Sequence, residues 1–192
     1  MMNFKNSMRC KFYEMFKMKF GDIPKFTRTP AWHTDMPLDH FKIRFEEFID
    51  KYHLQLNPDF QRGHVWTKVQ KIAYIEYLLR GGKSGKDFYF NHPGWMKNFK
   101  GEFVCVDGLQ RITACLAFLN NEIPAFGYLL EEYDDNIRMA DVMLSIWVND
   151  LKEKKDVLEW YLEMNSGGTP HSQEEFEKIK KMIKELDNGT IR

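Results

Sequence analysis

Phe103-Val104-Cys105-Val106-Asp107-Gly108-Leu109-Gln110-Arg111-Ile112 is the stretch that decides the fold. Its first four residues are a short unbroken apolar run, the pattern of a strand buried on both faces. Asp107 ends the run, and Gln110 three residues later gives the spacing of a capping box. The spacing therefore predicts a helix from Gly108 to Leu119, with Ile112, Cys115, Leu116 and Leu119 on its apolar face and Asn120-Asn121 at its end. A helix that starts where a buried strand stops presents unpaired backbone N–H groups and the positive end of its dipole, and such a junction holds anions. Gly108 lets a ligand approach the backbone. Arg111 puts a full positive charge in the first turn, where it is locally unfavourable unless an anion lies between it and the amides. A plain capping box with an exposed Arg111 is the simpler alternative on these residues alone.

Outward from this junction the chain alternates helical and strand patterns, which predicts an α/β or α+β domain with a small mixed sheet flanked by helices. Upstream, Leu38 to His53 reads as mostly helical, with Phe41, Ile43, Phe45, Phe48 and Ile49 available for burial. Asn57-Pro58 breaks it. Thr67 with Gln70 is a second capping box, with Trp66 before it as a hydrophobic staple. Val69, Ile72, Ala73, Ile75, Leu78 and Leu79 form the stripe of that helix, and Gly81-Gly82 ends it. Phe88 to Phe90 reads as a strand, and Asn91-His92 as a turn. Downstream, strands are predicted at Phe126 to Leu130 and Val142 to Val148. A helix follows from Asp156 to Met164, a loop at Asn165-Ser166-Gly167-Gly168, and a last helix from Glu174 to Leu186, capped by Ser172 and Glu175. Residues 1–37 read as an N-terminal arm and residues 38–192 as one domain. Phe4 to Phe20 has the pattern of a basic amphipathic helix, docked or frayed in the bland reading and lying on a membrane surface in the sharper one.

Bulk properties narrow the function classes. Hydrophobic residues make up 43% of the 192 and charged residues 29%, as in an ordinary globular protein. Twenty-eight basic and twenty-eight acidic side chains cancel, so no overall field draws the chain to nucleic acid or an anionic membrane. Cys10, Cys105 and Cys115 are odd in number and lack CxxC spacing, which argues against a disulfide framework or a zinc site and predicts reduced thiols in a cytoplasmic protein. Aromatic residues reach 15%, enough to line a cleft as well as a core.

Two further segments can carry chemistry. Pro58-Asp59-Phe60-Gln61-Arg62-Gly63-His64-Val65-Trp66 gathers polar side chains in a connector, and Arg62 offers a planar fork to a phosphate or carboxylate; tying the loop to backbone carbonyls is its other possible task. Asn165-Ser166-Gly167-Gly168-Thr169-Pro170 could wrap phosphate or ribose oxygens, or simply join two helices. In order and spacing, these two segments and Asp107 to Arg111 resemble the N-terminal domain of the GmrSD-type restriction family, within the ParB/sulfiredoxin-like superfamily. Gln61, Arg62, Trp66, Asp107, Gly108, Gln110, Arg111, Asn165, Gly167 and Gly168 match its motifs, and the resemblance covers about three quarters of the chain.

The resemblance implies a ParB/sulfiredoxin-like α/β fold and a nucleoside triphosphate held with Mg²⁺, whose hydrolysis drives cleavage of modified DNA by a separate nuclease half. Asp107, Gln110 and Arg111 are then the catalytic candidates. Gln61, Arg62, Gly108, Asn165, Ser166, Gly167, Gly168 and Thr169 are the nucleotide-binding ones. Leu109, Glu163 and His171 depart from the family pattern, and these departures bear on turnover more than on phosphate binding. The His-Asn-His set of a ββα-metal nuclease has no counterpart at plausible spacing, so DNA cleavage is not expected of these residues. A catalytically inactive module docking on a protein partner or defence complex, a ParB-like nucleotide-dependent switch on DNA, and a kinase of the same superfamily are the alternatives.

Overall fold

Val104 to Val106 alternate between two cores, and this explains why the run is apolar without interruption. The computed structural model describes residues 23, 32–61, 63, 65–134, 142–165 and 173–189. Its elements are β1 (Trp32–Pro37), α1 (Leu38–Asp50), α2 (Lys68–Leu79), β2 (Asp87–Asn91), β3 (Val104–Asp107), α3 (Leu109–Leu119), β4 (Met143–Asn149), α4 (Lys154–Asn165) and α5 (Gln173–Asp187). The four strands form one mixed sheet in the order β1-β4-β2-β3. The outer pairs are antiparallel and β4–β2 is parallel. The fold is α+β.

Helices α1, α2 and α3 cover one face. Phe41, Phe45 and Phe48 of α1 meet Phe88 and Phe90 of β2, Cys105 of β3, Leu144, Ile146 and Val148 of β4, and Ile112 and Cys115 of α3 in the larger core. Val104 and Val106 point the other way, into a smaller core with Phe60, Val157, Leu158, Trp160, Tyr161 and Ile179 from the connector, α4 and α5. Burying a strand on both faces removes the apolar side chains of each face from water, at roughly 25 cal/mol per Å².

Several expectations change. The segment predicted as a strand at Phe126 to Leu130 is a tight turn closed by an Ala125–Tyr128 bridge. Phe126 and Gly127 both have positive φ, 50° and 87°, a geometry a strand cannot hold. Leu130–Glu132 then form a short 3-10 turn. On α1, Ile43 is 69% exposed and Ile49 is also exposed, because the buried face is the Leu38, Phe41, Phe45 and Phe48 stripe. On α2, Val69 and Ala73 are exposed, and Tyr74 is buried in their place. Thr67 and Gln70 do form the capping box. Trp66 is not its staple; it packs on Tyr74, 5.5 Å between ring centroids. Residues 32–37, assigned to the arm from sequence, pair with β4 along the whole of β1.

Candidate functional site

The β3–α3 junction is built by one glycine and held by four polar side chains, Asp107, Arg111, Gln61 and Gln110. Gly108 is the residue before the helix, with φ 119° and no side-chain cap. Asp107 is therefore not the N-cap, contrary to the capping-box expectation. A Cβ on Gly108 would lie 2.6 Å from Cδ1 of Phe88, so glycine is required both by backbone angle and by the core packed behind it.

Arg111 is not exposed. Its side chain is 18% accessible, and its guanidinium donates to Oδ2 of Asp107 at 2.6 Å and to the backbone carbonyl of Asp87 at 2.8 Å, while lying 5.3 Å over the Phe88 ring. The anion that its first-turn position called for is supplied from within the chain. Asp107, at 35%, is the more accessible partner.

The Pro58–Trp66 connector is fastened across this junction. Gln61 donates through Nε2 to the carbonyls of Cys105 and Val106, at 3.1 and 2.9 Å. Gln110 accepts the backbone N–H groups of Val65 and Trp66 on Oε1, at 3.0 and 3.1 Å, and donates through Nε2 to the carbonyl of Gly63. Two glutamines thus bring segments more than forty residues apart into one unit. Asn165 lies at the end of α4, donates to the Tyr161 carbonyl at 2.7 Å, and shares with Gln61 and Phe60 a cavity of about 60 Å³. Gln61, Asp107, Gly108, Gln110 and Arg111 are therefore together, and Asn165 reaches the group through Gln61. Arg62, Ser166, Gly167, Gly168, Thr169 and the Ser172 cap lie outside the described residues.

Leu109, which stands where the family has a polar residue, is buried in the larger core at 3% exposure. It faces away from the site. Two residues that sequence alone did not single out belong beside Arg111. One is Asp87, through its carbonyl and through a carboxylate that accepts Nε1–H of Trp147 at 3.1 Å. The other is Tyr89, paired in register with Asp107 and stacked against Trp147. Burial, then the carboxylates of Asp87 and Asp107, push the Tyr89 phenol up. A backbone contact leaves no trace in residue type, so only the polar Asp87 before an apolar strand could have signalled the pair. Burial pushes the Cys105 thiol far up and that of Cys115 to about 12, so neither is a nucleophile at neutral pH.

The family model for the GmrSD restriction endonuclease, N-terminal domain, matches residues 45–142. The chain belongs to this GmrSD family. The match takes in the connector and the β3–α3 junction, and ends before Asn165. No curated protein and no solved structure matches the chain. Among the described residues of this GmrSD domain, no helix is long and apolar enough to cross a membrane, and no three His, Cys, Asp or Glu side chains are grouped to hold a metal.

Proposed function

We propose that this GmrSD domain binds a nucleoside triphosphate as its Mg²⁺ complex at the β3–α3 junction, with Arg111 and the first-turn amides of α3 on the phosphates. The observation that carries the reading is the Asp107–Arg111 pair. A guanidinium anchored by the Asp87 carbonyl and the Phe88 ring is already aimed, and its counterion is a partly exposed carboxylate that a phosphate can replace. Arg111 thus needs no reorganisation when the ligand arrives. The Gln61 and Gln110 clamps fix Gln61, Gly63, Val65 and Trp66 of the connector against the same junction.

Mg²⁺ in such sites is commonly held by one or two carboxylates plus the phosphates, so a lone displaced Asp107 suits it better than a dedicated cage would. The ion would supply charge neutralisation on the phosphates. Asp107 would hold it or orient water, and Gln110 would keep the connector in place. Gln110 has both ends of its amide bonded to backbone, which favours positioning over direct chemistry and gives weight to the second reading, a binding module without turnover.

Calorimetric titration with the four ribonucleoside triphosphates and Mg²⁺, followed by product analysis, tests this. Arg111→Lys keeps the charge and loses the fork, and should weaken binding about ten- to a hundredfold. Wild type that binds no triphosphate, or a Lys variant that binds as tightly, refutes the site.

A further inference from the structure

The sheet face turned away from α1, α2 and α3 carries a second feature, one set by strand register. His33 of β1 pairs with Trp147 of β4, Trp147 with Tyr89 of β2, and Tyr89 with Asp107 of β3. The three rings form a row: His33 and Trp147 stack at 3.9 Å and 20°, Trp147 and Tyr89 at 6.3 Å and 15°. Trp160 of α4 stands perpendicular to Tyr89, 6.1 Å away, and closes the row on that side. The neighbouring register position aligns Asp35, Ser145 and Asp87 in a second row. Oδ1 of Asp35 accepts the Ser145 hydroxyl at 2.7 Å and lies 3.1 Å from the His33 ring nitrogen. Among the described residues its other oxygen has no partner, and neither has the Tyr89 hydroxyl.

These rows are tied to the phosphate site by a single residue. Asp87 holds Arg111 with its carbonyl and Trp147 with its carboxylate, so the guanidinium and the indole are set by one strand position. A half-buried ring row that begins beside Asp107 and ends at an acidic edge has the layout of a base seat.

Resting on the triphosphate reading above, we propose that the His33–Trp147–Tyr89 row seats the nucleobase and that Asp35 selects guanine. Ring rims take a base in edge-to-face contact, and base–aromatic contact tolerates any base. The choice among bases falls to the acidic row. Guanine alone of the four presents two adjacent N–H donors, on N1 and N2, to one carboxylate. Adenine and cytosine turn a ring acceptor toward it, and uracil has one donor flanked by two carbonyls.

Titration of wild type, Trp147→Ala, Trp147→Phe and Asp35→Asn with the Mg²⁺ complexes of GTP, ATP, CTP and UTP, and with Mg²⁺-tripolyphosphate, tests this. Circular dichroism on each variant confirms that the sheet is intact. GTP should bind wild type at least tenfold more tightly than the other three. Trp147→Ala should weaken GTP about tenfold or more and leave tripolyphosphate unchanged. Trp147→Phe, which keeps a ring, should lose only a few-fold, and Asp35→Asn should abolish the preference for guanine. Four triphosphates bound equally, or GTP bound equally by wild type and Trp147→Ala, overturns the base seat while tripolyphosphate binding keeps the phosphate site. Binding of neither triphosphate nor tripolyphosphate removes the phosphate reading itself, and this proposal with it.

Discussion

Arg111 shows how far a single residue can be read from sequence. A cation in the first turn of a helix signals a nearby anion, and the structure supplies one, Asp107, in the chain itself. The sequence could not reveal that the same guanidinium is largely enclosed, because its other contacts are a carbonyl and a ring face. Arg111→Ala should therefore lower stability as well as binding, by about 1–3 kcal/mol for the charged partner and carbonyl left behind, measured by urea denaturation. Unchanged stability would mean that Arg111 is held by nothing in solution. His92, 2% exposed, gives a second prediction at this scale. Burial foremost, then the charge of Lys152, lowers its pKa in the folded chain, while the unfolded chain keeps a value of about 6.5. Between the two values the unfolded state binds a proton that the folded state refuses. Stability should fall as pH drops through about 6.5 toward the folded pKa, and be independent of this group above it. His92→Phe should remove that part of the slope. Equal slopes from pH 7 to 5 in both proteins would refute it.

Elements whose apolar pattern is local were legible. The β3 run and the Thr67–Gln70 cap each declare themselves within a few residues, whereas the apolar residues of α1 did not sort themselves, since Ile43 and Ile49 stand outside the buried stripe. β1 did not declare itself, since His33-Thr34-Asp35 is polar and becomes a strand only by pairing with β4. The turn at Phe126 also failed, because its positive φ is held by tertiary contacts: Glu76 accepts the Phe126 amide at 2.8 Å, and Arg80 lies over the ring. The site followed the same rule. Motif residues were found, but the partners that position them were backbone groups distant in sequence. Two element-scale predictions use this. Gly108→Ala should cost about 1–3 kcal/mol, since the methyl meets Phe88 in a left-handed backbone; a thermal midpoint within a degree of wild type would contradict it. Gln110→Ala should leave α3 folded yet speed hydrogen exchange at Val65 and Trp66, whose amides it holds. Exchange there at the wild-type rate would show that something else clamps the connector.

At the scale of the whole molecule, β3 couples the two cores. Cys105 faces one and Val104 and Val106 the other, so neither helical layer can leave without exposing the same strand. Unfolding should accordingly be one cooperative transition, with near- and far-ultraviolet dichroism changing together. A ligand at the β3–α3 junction touches this shared strand, so its binding energy should stabilise both layers at once. At a hundredfold excess over Kd, a ligand that binds only the folded state adds about 2.7 kcal/mol. For a chain of this length each kcal/mol is worth about 2–4 °C, so the midpoint should rise by about 5–11 °C with a Mg²⁺-triphosphate at that concentration. The rise should be single and common to both signals in wild type. At the same ligand concentration it should shrink in Arg111→Lys by the amount its weaker affinity dictates. A ligand that shifted only one of two separable transitions would place its site on one layer alone, away from the junction, and no shift at saturation would mean that the folded chain has no affinity for triphosphate to convert into stability.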